Sequence, residues 1–261
     1  MKKEVAMPLD LKDAGSAALD NPAALAQMRD IWQANVQKMA QLVHKRGWTI
    51  TDKPPTTPVG LSTQQLDKLE TTVGEPLPKQ LRWLLSWAKK WQFGWRFNEE
   101  EVVPPGEFSE CNYACLEWNT AALLVKEDLH GQLSYWVEYH NECLKDEDDF
   151  DCKAHTLFWQ GHFPFERSPG GDLITIDTRN PDPQQQPVRY FFHDLDGDST
   201  DGALLAPNLF SFISRLTALG CPGSEFWGGW RLFLSDAQQG FDLQSEAARQ
   251  WLAWLAASTD T

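Results

Sequence analysis

Two short runs in the second half of the chain have the pattern of strands, and the first alternates apolar and polar side chains. Leu173 to Asp177 carries β-branched residues at Ile174, Thr175 and Ile176, and Val188 to Phe192 is a second β-rich run. They predict two adjacent strands of one central sheet. Between them, residues 180–187 contain Pro181, Pro183 and Pro187, which lack the backbone donor a ladder needs, so the segment reads as the loop of a long hairpin. Pro169-Gly170-Gly171 reads as the turn that opens the first strand. After the second strand, Ala206-Pro207-Asn208 starts a helix whose apolar face is Leu209, Phe212, Ile213 and Leu216.

Elsewhere the period is helical. Asn21-Pro22 is an N-cap followed by proline in the first turn, and Leu25, Met28, Ile31, Trp32, Met39, Leu42 and Val43 form a broad stripe that stops near Gly47. That stripe either packs on its own domain or serves a partner. Residues 1–20 read as frayed or loosely docked. Ser62 and Gln65 form a capping box that opens a short helix ending at Gly74. Pro78 starts another helix, with Leu81, Leu84, Leu85, Ala88 and Trp91 as its buried face. A helical pattern resumes around Thr120 to Leu133, and His155 to Phe158 looks strand-like. Phe226 to Leu234 reads as an aromatic edge strand broken by a glycine pair. The tail from Asp242 to Ala257 is a helix with Asp242 as its cap and Leu243, Ala247, Trp251, Trp254 and Leu255 on one face.

Several of these pieces, taken in order, resemble the SUKH superfamily, the domain of a yeast cell-wall-synthesis regulator and of many bacterial immunity proteins. The residues concerned are Gly74, Leu77-Pro78, Pro164 ahead of the sheet, Gly171-Asp172, Asp177, Phe192-His193-Asp194 and Leu205-Ala206-Pro207. One departure is that the helix after Pro78 runs on through Lys89-Lys90-Trp91 to Gly94 instead of ending in an Asn-Gly turn. The resemblance implies an α+β fold, a single SUKH-like domain whose mixed or antiparallel central sheet is flanked by helices. The ranges would be a helical extension over 1–60, a core over 61–219 with an insert over 97–159, and an aromatic segment and helix over 220–261. One elaborated domain also suits 261 residues, given about 100–200 residues per domain.

Composition narrows the chemistry. A net charge of −14 disfavours nucleic acid and anionic membrane as direct partners and favours a basic one, unless the acidity serves only solubility. No secretory leader and no apolar run of about 18 residues is visible, so a cytoplasmic protein is expected. Five cysteines argue against a disulfide framework, and 13 tryptophans point first to a core rather than to a sugar or base platform.

Cys111 with Cys115 and Cys152 with His155 approach zinc spacing, but the remaining cysteines and histidines do not complete two clusters. Asp194 to Asp201 is rich in Asp and Gly, yet an EF-hand would need Gly where Ser199 stands and Glu where Leu205 stands. Neither a Gly-flanked serine elbow nor a nucleotide fingerprint is present, and His193-Asp194 belongs to the family-like signature as structural support. The expectation is a protein without cofactor, metal or catalysis.

The resemblance then implies an immunity protein that binds one cognate toxin domain, with a regulatory or scaffold protein as the alternative. The acidic run Asp146, Glu147, Asp148, Asp149 and Asp151 is either a solvated loop or the surface that meets a basic toxin.

Overall fold

The two predicted strands are β5 (Leu173–Asp177) and β6 (Val188–Phe191), and they pair antiparallel with Leu173 opposite Phe191 and Ile176 opposite Val188. The computed structural model describes residues 10–98, 102, 104–108, 111, 113–120, 129–148, 150–168, 170–193, 202–223, 229–236 and 239–257. These fall into two compact units, each built from separate stretches of chain. One comprises 57–90 and 118–209, and the other 1–56, 91–117 and 210–261.

The first unit carries a four-stranded antiparallel sheet in the order β4-β5-β6-β7, with β4 spanning His162–Arg167 and β7 spanning Leu204–Ala206. Pro164 therefore lies inside a strand rather than ahead of the sheet. It is tolerated because β4 is an edge strand and its register slips between Pro164 and Glu166. Leu205 and Ala206, expected to lead into a helix, belong first to β7, which pairs with Val188 and Arg189. The proline-rich linker is a hairpin loop, shaped by a 3₁₀ turn at Pro183–Gln185 that Asp182 caps through the Gln184 N–H at 3.0 Å.

Among the described residues, this unit contains helices α2 to α5. α2 (Thr63–Val73) opens on the Ser62 and Gln65 capping box and closes at Gly74, whose φ of +90° is left-handed. α3 (Lys79–Trp87) is shorter than its apolar pattern suggested. Its N-cap is Pro78, Ala88 is already extended, and Trp91 lies on a strand. α4 (His130–Leu144) buries Leu133, Val137 and His140, and residues 121–128 of the expected helix lie outside the described residues. α5 (Cys152–Trp159) replaces the expected strand at His155 to Phe158. A short apolar run does not distinguish the two periods, and the Asp151 cap at its start favours the helix.

The second unit contains α1 (Pro22–Lys45), and its N-cap is Asn21 as expected. Residues 10–20 are tied to α1, since Asn35 bonds both the N–H and the carbonyl of Lys12, at 2.9 and 2.7 Å. A three-stranded sheet, β1-β2-β3, follows from β1 (Thr49–Asp52), β2 (Lys90–Arg96) and β3 (Tyr113–Asn119). α6 (Leu209–Ala218) is the helix predicted after Asn208, and Leu209, Phe212, Ile213 and Leu216 are all buried. Instead of the aromatic edge strand, a 3₁₀ turn at Trp230–Phe233 leads into the two-residue β8 (Leu234–Ser235), which pairs with β9 (Gly240–Phe241); residues 224–228 lie outside the described residues.

α7 (Glu246–Ala256) starts later than expected. Ser245, not Asp242, is its cap, with Oγ accepting the Ala248 N–H at 3.0 Å. Aromatic rings fill this unit: Trp48 stacks on Trp95 at 5.3 Å and on Trp254 at 5.5 Å, and Trp95 stacks on Trp251 at 6.3 Å. The tryptophan excess is core material here.

Candidate functional site: a buried acid cluster and an exposed helix pair

Asp172 lies at the start of β5 with only 4% of its surface exposed. It follows Gly171, whose φ of +105° closes the β4–β5 turn in a conformation that disfavours any residue with a Cβ. Its carboxylate accepts from the Tyr190 hydroxyl, from the His193 N–H at 3.0 Å and from His193 Nδ1 at 2.6 Å. An acid desolvated to this degree needs such donors, and here they tie the turn to the end of β6. The edge of the His193 ring meets Trp136 of α4, with centroids 5.3 Å apart. His140, one turn further along, bonds the His193 carbonyl at 3.2 Å and stacks on Phe191 at 5.3 Å. The arrangement fixes α4 against the sheet.

Asp177 ends β5 opposite His162 of β4. It takes Arg179 Nε at 2.8 Å and the Arg179 N–H at 3.1 Å. Burial pushes this carboxyl up, but Arg179 outweighs it and the net shift is downward. The His162 side chain is fully enclosed, and burial lowers its pKa to about 4, against a weaker upward pull from Asp177. It is a neutral imidazole at pH 7.

The remaining signature positions do structural work at a helix junction. Leu77 is buried and its N–H reaches Glu70 Oε1 at 3.1 Å, while Arg82 of α3 bridges Asp67 at 2.6 Å and Glu70 at 2.7 Å on α2. Gly74 and Pro78 are the caps at that junction, and Pro207 lies half-buried between β7 and α6. Asp194 lies outside the described residues.

The acidic run joins α4 to α5, and its members differ. Asp146, Glu147 and Asp148 are exposed, Asp149 lies outside the described residues, and Asp151 caps α5 by accepting the Lys153 and Ala154 N–H groups at 2.9 and 3.0 Å. Asp151 is thus occupied by the helix it starts.

Sequence reasoning missed the face of α4 that precedes this loop. Tyr135, Glu138, Tyr139 and Glu142 are all exposed and spaced i, i+3, i+4, i+7, which is one side of a helix. The signal was there in Leu133, Val137 and His140, whose burial on the other side fixes what faces outward. Along one flank of α4 lies a cleft of about 630 Å³, lined in part by Glu75, His130, Glu138, Asn141, Thr156 and His162, in which Glu75 and His130 pair at 3.2 Å. Among the described residues, no group of three His, Cys, Asp or Glu side chains is placed to hold a metal ion, and no helix is long and apolar enough to cross a membrane.

An antiparallel sheet whose buried acids brace its own turns, next to an exposed helix pair, defines an α+β domain with a built surface. Comparison with protein families makes the assignment specific: the SMI1 / KNR4 family (SUKH-1) matches residues 60–215, and the chain belongs to that family. The match covers all of the four-stranded sheet, and the buried cluster of Asp172, Tyr190 and His193 falls inside it. No curated protein and no solved structure matches the chain.

Proposed function

We propose that this protein is a cytoplasmic immunity protein that binds a cognate toxin domain and blocks its active site or its access to substrate. The observation that carries the reading is membership of the SUKH-1 family, a domain class consistent with immunity proteins and with regulators. Charge supports the choice of partner. At −14, the chain attracts a basic toxin over long range, which raises the association rate and discriminates against acidic proteins. We read the role as binding rather than catalysis, because the carboxylates of both His–Asp pairs in the sheet are engaged in bracing it, Asp172 by the His193 N–H and the Tyr190 hydroxyl and Asp177 by Arg179.

Asp146, Glu147 and Asp148 are the loop positions that would steer such a partner, while Asp151 is set aside as a cap. The test is rescue of cells by co-expression with a secreted toxin encoded next to this protein, followed by isolation of the complex. Rescue with a stable complex is expected; a toxin that kills regardless and does not bind would turn the assignment to a regulatory or scaffold protein. With the complex in hand, reversing Asp146, Glu147 and Asp148 to Lys slows association at low salt. The effect fades near 1 M, where the Debye length is about 3 Å. A matched reversal at Glu99, Glu100 and Glu101 is the control, and equal, small effects of the two reversals would reduce the acidic loop to a solubility feature.

A further inference from the structure

Among the described residues, four large apolar side chains stand out as exposed, and three of them, Tyr135, Tyr139 and Leu157, belong to α4 and α5. Tyr135 is 59% and Tyr139 43% exposed, whereas the other described aromatic side chains of this unit are buried or half-buried. Their rings lie nearly parallel, 14° apart with centroids at 6.3 Å, and each meets Trp136 edge-on, at 5.0 and 5.5 Å. Trp136 is itself held against His193, which Asp172 fixes. The exposed rings therefore stand on a braced support, which lowers the ordering cost of using them in an interface.

We propose that the Tyr135–Glu138–Tyr139–Glu142 face of α4 is the anchor site for an arginine-bearing segment of a basic protein partner. Tyrosine faces attract cations, and a guanidinium can stack on a ring while its donor fork takes a neighbouring carboxylate in two parallel bonds. α4 offers that combination twice, with Glu138 and Glu142 one turn apart beside the two rings. Asp146 continues the same helical side into the acidic loop. Lys145 Nζ sits 3.0 Å from Glu142, but an exposed lysine pair of this kind is weak and yields to a bidentate guanidinium. A second copy of the chain is a poor occupant. It would set Glu138, Glu142 and Asp146 against equally acidic surfaces, between molecules that each carry −14.

This site deepens the reading of a basic toxin partner and rests on it, yet its test does not need the toxin. The full-length protein is titrated calorimetrically with octa-arginine and octa-lysine peptides at about 0.15 M salt. The variants are Tyr135→Leu with Tyr139→Leu, the matching pair of Tyr→Phe changes, and Glu138→Gln with Glu142→Gln. The expected result is tighter binding of octa-arginine than of octa-lysine. The double Leu variant, with unchanged charge, loses about fivefold or more in arginine-peptide affinity, while the Phe variant keeps the wild-type value. Unchanged affinity in the Leu variant would overturn the site and leave only diffuse charge attraction. So would absence of arginine-peptide binding to the wild type, or self-association of the wild type that the Leu variant abolishes. A failed peptide result alongside successful rescue from the toxin rejects this face alone, whereas peptide binding without any rescue rejects the immunity reading and keeps the arginine site.

Discussion

In the unit that contains α1, β1 to β3 and α6 to α7, the buried polar groups are mostly neutral indoles. Trp95, Trp230 and Trp251 donate to the carbonyls of Gly220, Pro222 and Leu219 at 3.0, 3.0 and 2.8 Å, so three rings hold the turn that follows α6. Trp32 donates to Ser214 Oγ at 2.8 Å in the same manner. In the unit that contains the four-stranded sheet, the corresponding places are taken by ionisable groups: Asp172, Asp177, Glu166 and His162 are all buried. The indoles named above each reach an acceptor, whereas neither ring nitrogen of the buried His162 has a hydrogen-bond partner among the described residues, and its protonation is set by burial. The aromatic unit gains stability from ring area and neutral bonds that are indifferent to pH, while the sheet unit buries His162 and Asp177, whose pKa values folding lowers.

Removing one of the fully buried indoles gives the largest expected effect. Trp251→Ala deletes a side chain with no exposed surface that also bonds Leu219, and should cost about 3–5 kcal/mol in urea unfolding. The same loss is expected at pH 7 and pH 5. A cost below about 1 kcal/mol, or one that changes with pH, would break the contrast between the units.

The second effect belongs to the sheet unit. His162 has a folded-state pKa of about 4, against roughly 6.5 for an unfolded histidine. Between those values the unfolded chain takes up a proton that the folded one refuses. Stability from this group is therefore complete above about pH 6.5 and falls as the pH drops toward 4, by up to about 3 kcal/mol. Asp177, with its pKa lowered, contributes above the ordinary carboxylate range and loses its contribution only at still lower pH. Urea midpoints measured from pH 7 to 4.5 should therefore fall less steeply for His162→Leu than for the wild type, and parallel curves would show that His162 does not govern the acid limb.

The smallest effect separates two carboxylates of one loop. Asp151→Ala should lose about 1 kcal/mol, the usual worth of an N-cap, whereas Asp146→Ala should stay within about 0.5 kcal/mol. Equal values, read from thermal or urea unfolding, would mean that the cap bonds of Asp151 add nothing.

Much of the sheet unit was legible from pattern alone. The β-rich patterns of Leu173 to Asp177 and Val188 to Phe192 predicted the central hairpin to within a residue, and three prolines predicted its loop. The alternation read in the first run does not mark a buried and an exposed face, since every residue of that strand is buried. The capping residues Asn21, Ser62 and Gln65 marked two helix starts correctly. Misreadings fell where two local rules competed. His155 to Phe158 had strand composition and a helix cap upstream, Pro164 suggested a break yet sits in an edge strand, and Asp242 was the more obvious cap although Ser245 lies closer to the helix. The exposed face of α4 went unread because its meaning depends on which side of the helix is buried.

Features governed by neighbours a few residues apart were readable from the chain alone: periodicity, caps, turns, and the order of motifs that points to the SUKH superfamily. Those features are decided by backbone hydrogen bonding and steric limits that act locally, so they survive in any context that allows the element to form. Long-range packing, by contrast, brought Asp172 to His193, 21 residues on, and Trp251 to the carbonyl of Leu219, 32 residues back. It also decided that Tyr135 and Tyr139 would remain outside with Trp136 braced beneath them. Burial assigns such roles, because the same carboxylate or ring has a different energy in water than against a desolvated partner, and the partner's identity is set by the whole chain closing on itself.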